Sequence, residues 1–395
     1  MVTSVEEEVK VSVCINCARH PSLKQVIEEK SVAGVCAFCC REDVVVRDPD
    51  DAEPMVMLIR ALIRVNWDEF EYNPHWGGNS VLDLFADADN PVVNPPVADT
   101  YLDDFGFLLD EPVYPDIDKG IALYAGNDEE GIRHVQFKTS RSEPGGLREI
   151  RARLLTEDFA AVAPAVQALI DPFLPDIEFV LPAGGTWLRA RTGVEKLYQR
   201  SDGWETIIVR QPYTQLDIGA PPASIAGLGR LNRAGLPVLY LASKAYTALA
   251  EIRPHPGHYV SIGGFETVSD FRMADFDPDI ALFSANDLRL ELYAVIQAFD
   301  RLMSTPVTPD DKSGYLVTQL LAEVLQGRGF HGVRYRSSVS DGVNICLFNP
   351  NAGRFVGGHS EVHFIESVTY ADPVVPSLLV PGPGDQELNP SPTST

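Results

Sequence analysis

Between residues 227 and 251 the chain gathers side chains suited to a charged organic ligand. Gly227, Gly229 and Gly235 break a loop that carries Arg230 and Asn232. An apolar run containing Tyr240 follows, and Thr247-Ala248-Leu249-Ala250-Glu251 closes the stretch. Glycine lets backbone approach a bulky ligand, and arginine offers a planar fork suited to phosphate. Tyrosine presents a flat face and glutamate a negative charge. The set fits a ligand that bears phosphate and some positive charge. A second group lies near the start. Cys14 and Cys17 are separated by two residues, as are Cys36 and Cys39, with eighteen residues between the pairs. That spacing is the pattern of a tetrahedral zinc site, each pair placing two thiolates on one turn. Four sulfur ligands leave no open position, so such a Zn2+ is structural. Cys40 and His20 stand close enough to be alternative ligands.

Elements must position these groups. The loop at 227–235 leads into a short apolar strand and then a helix. Residues 21–30 suit a short helix between the cysteine pairs. Apolar residues at helical spacing from Met55 through Leu58, Leu62 and Ile63 predict another, residues 81–88 a further short one, and 147–163 a long amphipathic helix ended or kinked by Pro164. From about residue 173 strand-like runs dominate, at 206–209, 238–241, 260–262, 332–335 and 345–348, with helices at 287–303 and 315–326. The expected organisation is a zinc-binding segment (1–41), a mostly helical domain (50–170), an α+β domain (175–371) and a flexible, proline-rich tail (372–395).

The chain has 395 residues, 45% of them hydrophobic, which is ample for a core of more than one domain. Its formal net charge is −24 and its pI about 4.6, a balance that disfavours direct binding to nucleic acid. No apolar run approaches the roughly 18–20 residues of a membrane span. The acidic start lacks the order of a signal peptide, so a cytoplasmic protein is expected.

The second half resembles the RES family, named for its Arg, Glu and Ser residues. The resemblance runs through Trp187-Leu188-Arg189-Ala190-Arg191, then Ile218-Gly219-Ala220-Pro221-Pro222, then Gly229-Arg230-Leu231-Asn232 as far as Glu251-Ile252-Arg253-Pro254. It continues in Tyr315-Leu316-Val317-Thr318-Gln319, in Gly332-Val333-Arg334-Tyr335-Arg336-Ser337-Ser338 and in Gly342-Val343-Asn344-Ile345-Cys346. It implies an ADP-ribosyltransferase-like fold and a toxin that depletes NAD+ by cleaving the nicotinamide–ribose bond, with water or phosphate as acceptor. It also implies an antitoxin of the Xre type. The front half resembles the HEPN-like regions attached to some RES proteins, which leaves autoinhibition by that half as the alternative to a separate antitoxin. The spacing of arginine before histidine that a HEPN nuclease needs does not occur there.

Cleaving NAD+ at that bond builds positive charge on the ribose while neutral nicotinamide departs, so no acid is needed for the leaving group. On the family pattern the catalytic set is Arg230, Glu251, Ser337 and Tyr240. Arg230 would grip phosphate or ribose, Tyr240 would wall the nicotinamide side, and Glu251 would stabilise the developing cation. Ser337 would orient ribose or the attacking group, with Ser338 as its alternative. Arg189, Asn232, Ser338 and Asn344 are the binding set for the dinucleotide. Arg191 reads as structural, and His255 and His258 as loop residues. The glycine loop is not a Rossmann fingerprint, because Asn232 replaces the third glycine and a strand follows. Two other functions fit the same residues: transfer of ADP-ribose to a protein, and a non-enzymatic zinc-containing binding protein.

Overall fold

The computed structural model describes residues 11–66, 68–71, 85, 88–94, 121–124, 144–307 and 313–369. Contacts divide the chain into two units, Met1–Gly145 with Pro278–Ala298, and Gly146–Asp277 with Phe299–Thr395. This division differs from the expected 50–170 and 175–371 segments. It begins the second unit near residue 146 and returns Pro278–Ala298 to the first. The expected helix at 81–88 and the tail at 372–395 fall almost wholly outside the described residues.

In the first unit β1 (Val11–Ser12) runs parallel to β2 (Ser31–Cys36), with α1 (Pro21–Glu29) between them in sequence and β3 (Val44–Arg47) antiparallel to β2. Pro21 suits the first helical position, and His20 caps α1 by accepting from the amide of Ser22 through Nδ1 at 3.3 Å. Leu23, Val26 and Ile27 form the buried stripe of α1. Met55, Leu58, Ile59, Leu62 and Ile63 form that of α2 (Glu53–Asn66), as helical spacing requires. Strands β4 (Asp68–Glu71) and β5 (Ile121–Tyr124) pair antiparallel.

The second unit opens with α3 (Gly145–Arg153) and α4 (Phe159–Ile170), where the sequence suggested one helix over 147–163. Asp158 makes the break. Its carboxylate accepts from the amide of Ala161 at 2.9 Å, an N-cap that starts a new helix. Pro164 lies inside α4 and does not end it.

The body of this unit is an eight-stranded sheet. Its strands are β6 (Glu178–Leu181), β7 (Thr186–Thr192), β10 (Leu239–Ala242), β11 (Tyr259–Thr267), β12 (Phe271–Asp275), β13 (Gly332–Arg336), β14 (Val343–Leu347) and β15 (Gly353–Phe364). They stand in the order β15-β11-β7-β10-β14-β13-β12-β6, antiparallel throughout except β12 beside β13. Strands β8 (Lys196–Asp202) and β9 (Glu205–Gln211) form a separate hairpin. With α5 (Ala245–Glu251), the last residues of α6 (Asp287–Ser304) from Phe299 onward, and α7 (Leu316–Gly327), the fold is α+β.

The two faces of the sheet carry different chemistry. Leu239, Leu241, Ile345 and Leu347 are buried on one face with Phe265 and Met273. The alternate residues of β10 and β14, namely Tyr240, Ala242, Asn344 and Cys346, occupy the other face. There Ala190, Ala242 and Ala248 pack with Val260 and Ile262. Small side chains at those positions let α5 lie close against β7 and β10. That approach carries Glu251, the last residue of α5, to the cleft.

Candidate active site

A cleft of about 340 Å³ opens in the second unit, lined by Arg189, Arg230, Tyr240, Glu251, Arg253, Tyr315, Tyr335 and Asn344, with Leu188, Ala242 and Ala248 on its apolar side. One row of paired residues crosses its floor, because Leu188 pairs with Ala242, Ala242 with Asn344, and Asn344 with Tyr335. Strand β10 meets β7 through the single pair Ala242–Leu188. Beside it Arg189 spans the two strands and donates Nη1 to the carbonyl of Tyr240 at 3.0 Å.

Glu251 is the centre of a small network. Its Oε1 accepts from the Ser337 hydroxyl at 2.7 Å and from Nδ2 of Asn344 at 2.6 Å. Helix α5, the end of β13 and the start of β14 thus converge on one carboxylate. Ser337 also accepts from the amide of Val339 at 3.2 Å, so its oxygen is held from two sides. Neither Ser337 nor Ser338 lines the cleft directly, and Ser337 is tied to it through Glu251.

The arginines are held differently. Burial lowers the pKa of Arg189, although a guanidinium stays charged at any ordinary pH, and its Nε is buried without a hydrogen-bond partner. Arg230 donates Nη1 to the carbonyl of Leu302 at 2.7 Å and Nη2 to that of Thr305 at 3.0 Å. Those carbonyls end α6, where helix acceptors lack internal partners and carry partial negative charge. The Arg230 guanidinium also lies 5.2 Å from the Tyr315 ring centre. Arg191 stacks on Tyr213 at 4.1 Å and bonds the carbonyl of Asp217, a structural placement. Arg253 is exposed, and its Nη1 makes a long bond of 3.4 Å to the carbonyl of Val307. Its φ is +46°, a left-handed conformation that costs a non-glycine residue about 1–2 kcal/mol.

The loop carrying Arg230 is wired from within. The Tyr240 hydroxyl accepts from the amide of Leu231 at 2.9 Å and donates to Oδ1 of Asn232 at 3.0 Å. Nδ2 of Asn232 donates to the carbonyls of Gly227 and Leu236, each at 3.0 Å. Gln319, buried on α7, donates to the carbonyl of Gly229 at 2.7 Å. A side chain at Gly229 would bring its Cβ within 2.3 Å of Asn232 Oδ1, so only glycine fits there. Asn232 is therefore a buried brace of the loop. It is absent from the cleft lining, contrary to its expected place among the dinucleotide contacts.

Burial, with the nearby Cys346, raises the pKa of both Tyr240 and Tyr335 well above the ordinary phenol value, and the Glu251 carboxylate adds to the effect at Tyr335. Both phenols are neutral donors in any physiological setting. Three arginines and one carboxylate thus face the cleft of a chain whose net charge is −24. The arrangement can hold an anionic group beside a carboxylate poised for a cation. Sequence reading missed three of the lining residues. Tyr335 stands on β13 two positions before Ser337, which follows the strand directly, and was open to period-two reasoning. Arg253 follows Glu251 by two residues just past the helix end, and Tyr315 precedes α7 without any local signal.

In the first unit, Sγ atoms of Cys14, Cys17, Cys36 and Cys39 all lie within 4.8 Å of one another. Those of Cys14 and Cys39 are 3.9 Å apart, close to the roughly 3.8 Å that tetrahedral zinc–thiolate bonds of about 2.3 Å impose. The amide of Cys14 donates to Cys36 Sγ at 3.3 Å. A hydrogen bond from Cys17 and amides of Cys39, Cys14 and Phe38 pull Cys36 down to about 4, while burial pushes Cys14 up to about 11. The donor set fits a metal held by four thiolates. Neither Cys40 nor His20 joins it among the described residues, His20 being spent as the cap of α1.

Residues 203–365 match the family model described as the RES domain. Arg230, Tyr240, Glu251, Ser337 and Asn344 lie inside the match, and Arg189 lies before it on the adjoining strand β7. A chain in the crystal structure of the M. tuberculosis MbcT–MbcA toxin–antitoxin complex is similar at 12% identity and a TM-score of 0.28, over 50% of this chain and 92% of that one. No curated protein matches this chain. Over residues 203–365, which hold most of the cleft, the chain is similar to the RES domain.

Proposed function

We propose that this RES domain binds NAD+ in the cleft and cleaves its nicotinamide–ribose bond, with water or inorganic phosphate as acceptor, acting as a toxin. One observation carries the reading. Glu251 is held at the cleft by Ser337 and Asn344, while arginines supply positive charge nearby. As the bond to nicotinamide lengthens, charge passes from the leaving ring to the ribose, and a fixed carboxylate stabilises that charge without reorganising. Tyr240, partly buried, and Tyr335, buried, offer flat faces beside it. The fold of the domain is, on this reading, ADP-ribosyltransferase-like.

Nicotinamide release from NAD+ by the purified chain, with and without phosphate, is the deciding measurement. We expect Glu251→Gln to lower kcat by a hundredfold or more, about 2.7–4 kcal/mol, with the fold intact. Label retained on protein would mean ADP-ribose transfer instead. Wild type and variant equally inert would leave a binding protein.

The cysteine cluster is proposed to hold Zn2+ as a structural ion. An Xre-type antitoxin, or restraint by the front half of the chain, is the proposed control. Among the described residues no helix is long and apolar enough to cross a membrane.

A further inference from the structure

We propose that Arg253, rather than Arg230, grips the pyrophosphate of the dinucleotide, an assignment that rests on the reading of the cleft as an NAD+ site. Gripping phosphate requires N–H groups that are not already satisfied. Both Nη atoms of Arg230 donate to the carbonyls of Leu302 and Thr305, which takes two of its five N–H groups and fixes the guanidinium at the end of α6. Arg189 donates Nη1 to the carbonyl of Tyr240, and its unpaired Nε is buried, which keeps that N–H from a phosphate in the cleft. Arg191 is turned onto Tyr213 and Asp217.

Arg253 differs from them in exposure and in partners. It lines the cleft, it is exposed, and among the described residues its side chain makes one bond of 3.4 Å. Its backbone supplies a second, independent observation. Just past α5 it occupies the position where helices commonly end in a left-handed glycine, and its φ of +46° is held in spite of a side chain. Strain of this kind concentrates at ligand-binding positions. It stands two positions after Glu251, so one helix end presents a carboxylate for the cationic ribose and a guanidinium for the anionic linkage. Negative and positive parts of the substrate are thereby sorted along the cleft.

The test compares wild type with Arg253→Gly and Arg253→Lys on two substrates, NAD+ and nicotinamide riboside, which lacks phosphate. Glycine accommodates the left-handed backbone, so Arg253→Gly should melt no lower than wild type. We expect it to raise KM for NAD+ about tenfold to a hundredfold with kcat within about twofold. Turnover of nicotinamide riboside should be unchanged, and lysine should restore part of the loss. An unchanged KM for NAD+, or an equal loss on both substrates, overturns the assignment and leaves NAD+ cleavage standing. Calorimetric binding of ADP-ribose to the same proteins makes the outcome independent of turnover. A wild type that neither cleaves NAD+ nor binds ADP-ribose sinks both readings. A wild type that binds but does not cleave, with binding lost in Arg253→Gly, sinks cleavage alone.

Discussion

At the scale of single residues, hydrogen bonds separate side chains that contact a ligand from those that shape its site. Tyr240 shows the distinction. Its ring faces the cleft, while its hydroxyl braces Leu231 and Asn232. Tyr240→Phe keeps the ring and strands a buried amide, at about 1–3 kcal/mol. The expected outcome is a melting temperature lower by a few degrees, with kcat/KM altered far less than by Tyr240→Ala; calorimetry and turnover read the two effects apart. The types Arg, Glu and Ser were legible in the sequence, and Glu251 with Ser337 do meet at 2.7 Å. The doublet Ser337-Ser338 offered no local ground for choice. Only the direction in which each hydroxyl leaves the end of β13 decides which one reaches the carboxylate.

At the scale of elements, the end of α6 acts as a support for the site. Its carbonyls hold Arg230, and its buried Asp300 pairs with Arg336, the residue next to Ser337. Burial raises the Asp300 pKa, with Asp277 and Asp275 adding to the rise and Arg336 opposing it. A carboxyl whose pKa is higher in the folded chain binds its proton more tightly there. Its contribution to stability is therefore greatest below the ordinary carboxylate range and falls as pH rises through the folded value. The stability of wild type relative to Asp300→Asn should decline over that window. Denaturant titrations at several acid pH values measure the difference, and a flat or rising difference contradicts the assignment. Strand and helix positions in this half were largely legible, because apolar periodicity marks β10, β13, β14, α6 and α7. The break between α3 and α4 was missed, since the capping carboxylate of Asp158 outweighs a hydrophobic stripe that reads as continuous.

At the scale of the whole molecule, the first unit is expected to depend on its cysteines. Metal analysis should find about one zinc per chain. Chelation, or Cys14→Ser with Cys36→Ser, should lower folded yield and melting temperature without removing a group from the cleft. Metal-free protein that melts normally would contradict the site. The spacing of Cys14, Cys17, Cys36 and Cys39 announced this cluster because two local turns suffice to build it. The RES motifs likewise announced the domain, each being a short contiguous stretch. What the sequence determined by itself was local: ligand spacing, apolar periodicity, and which residue types were present. The tertiary structure decided which arginine is committed and which is exposed, that Asn232 braces a loop, and that Tyr335 and Tyr315 join the cleft. Those outcomes depend on partners more than seventy residues away for Arg230 and more than ninety for Asn344. Sequence order carries no record of which carbonyl a distant guanidinium will meet, whereas strand pairing and helix packing set that distance directly.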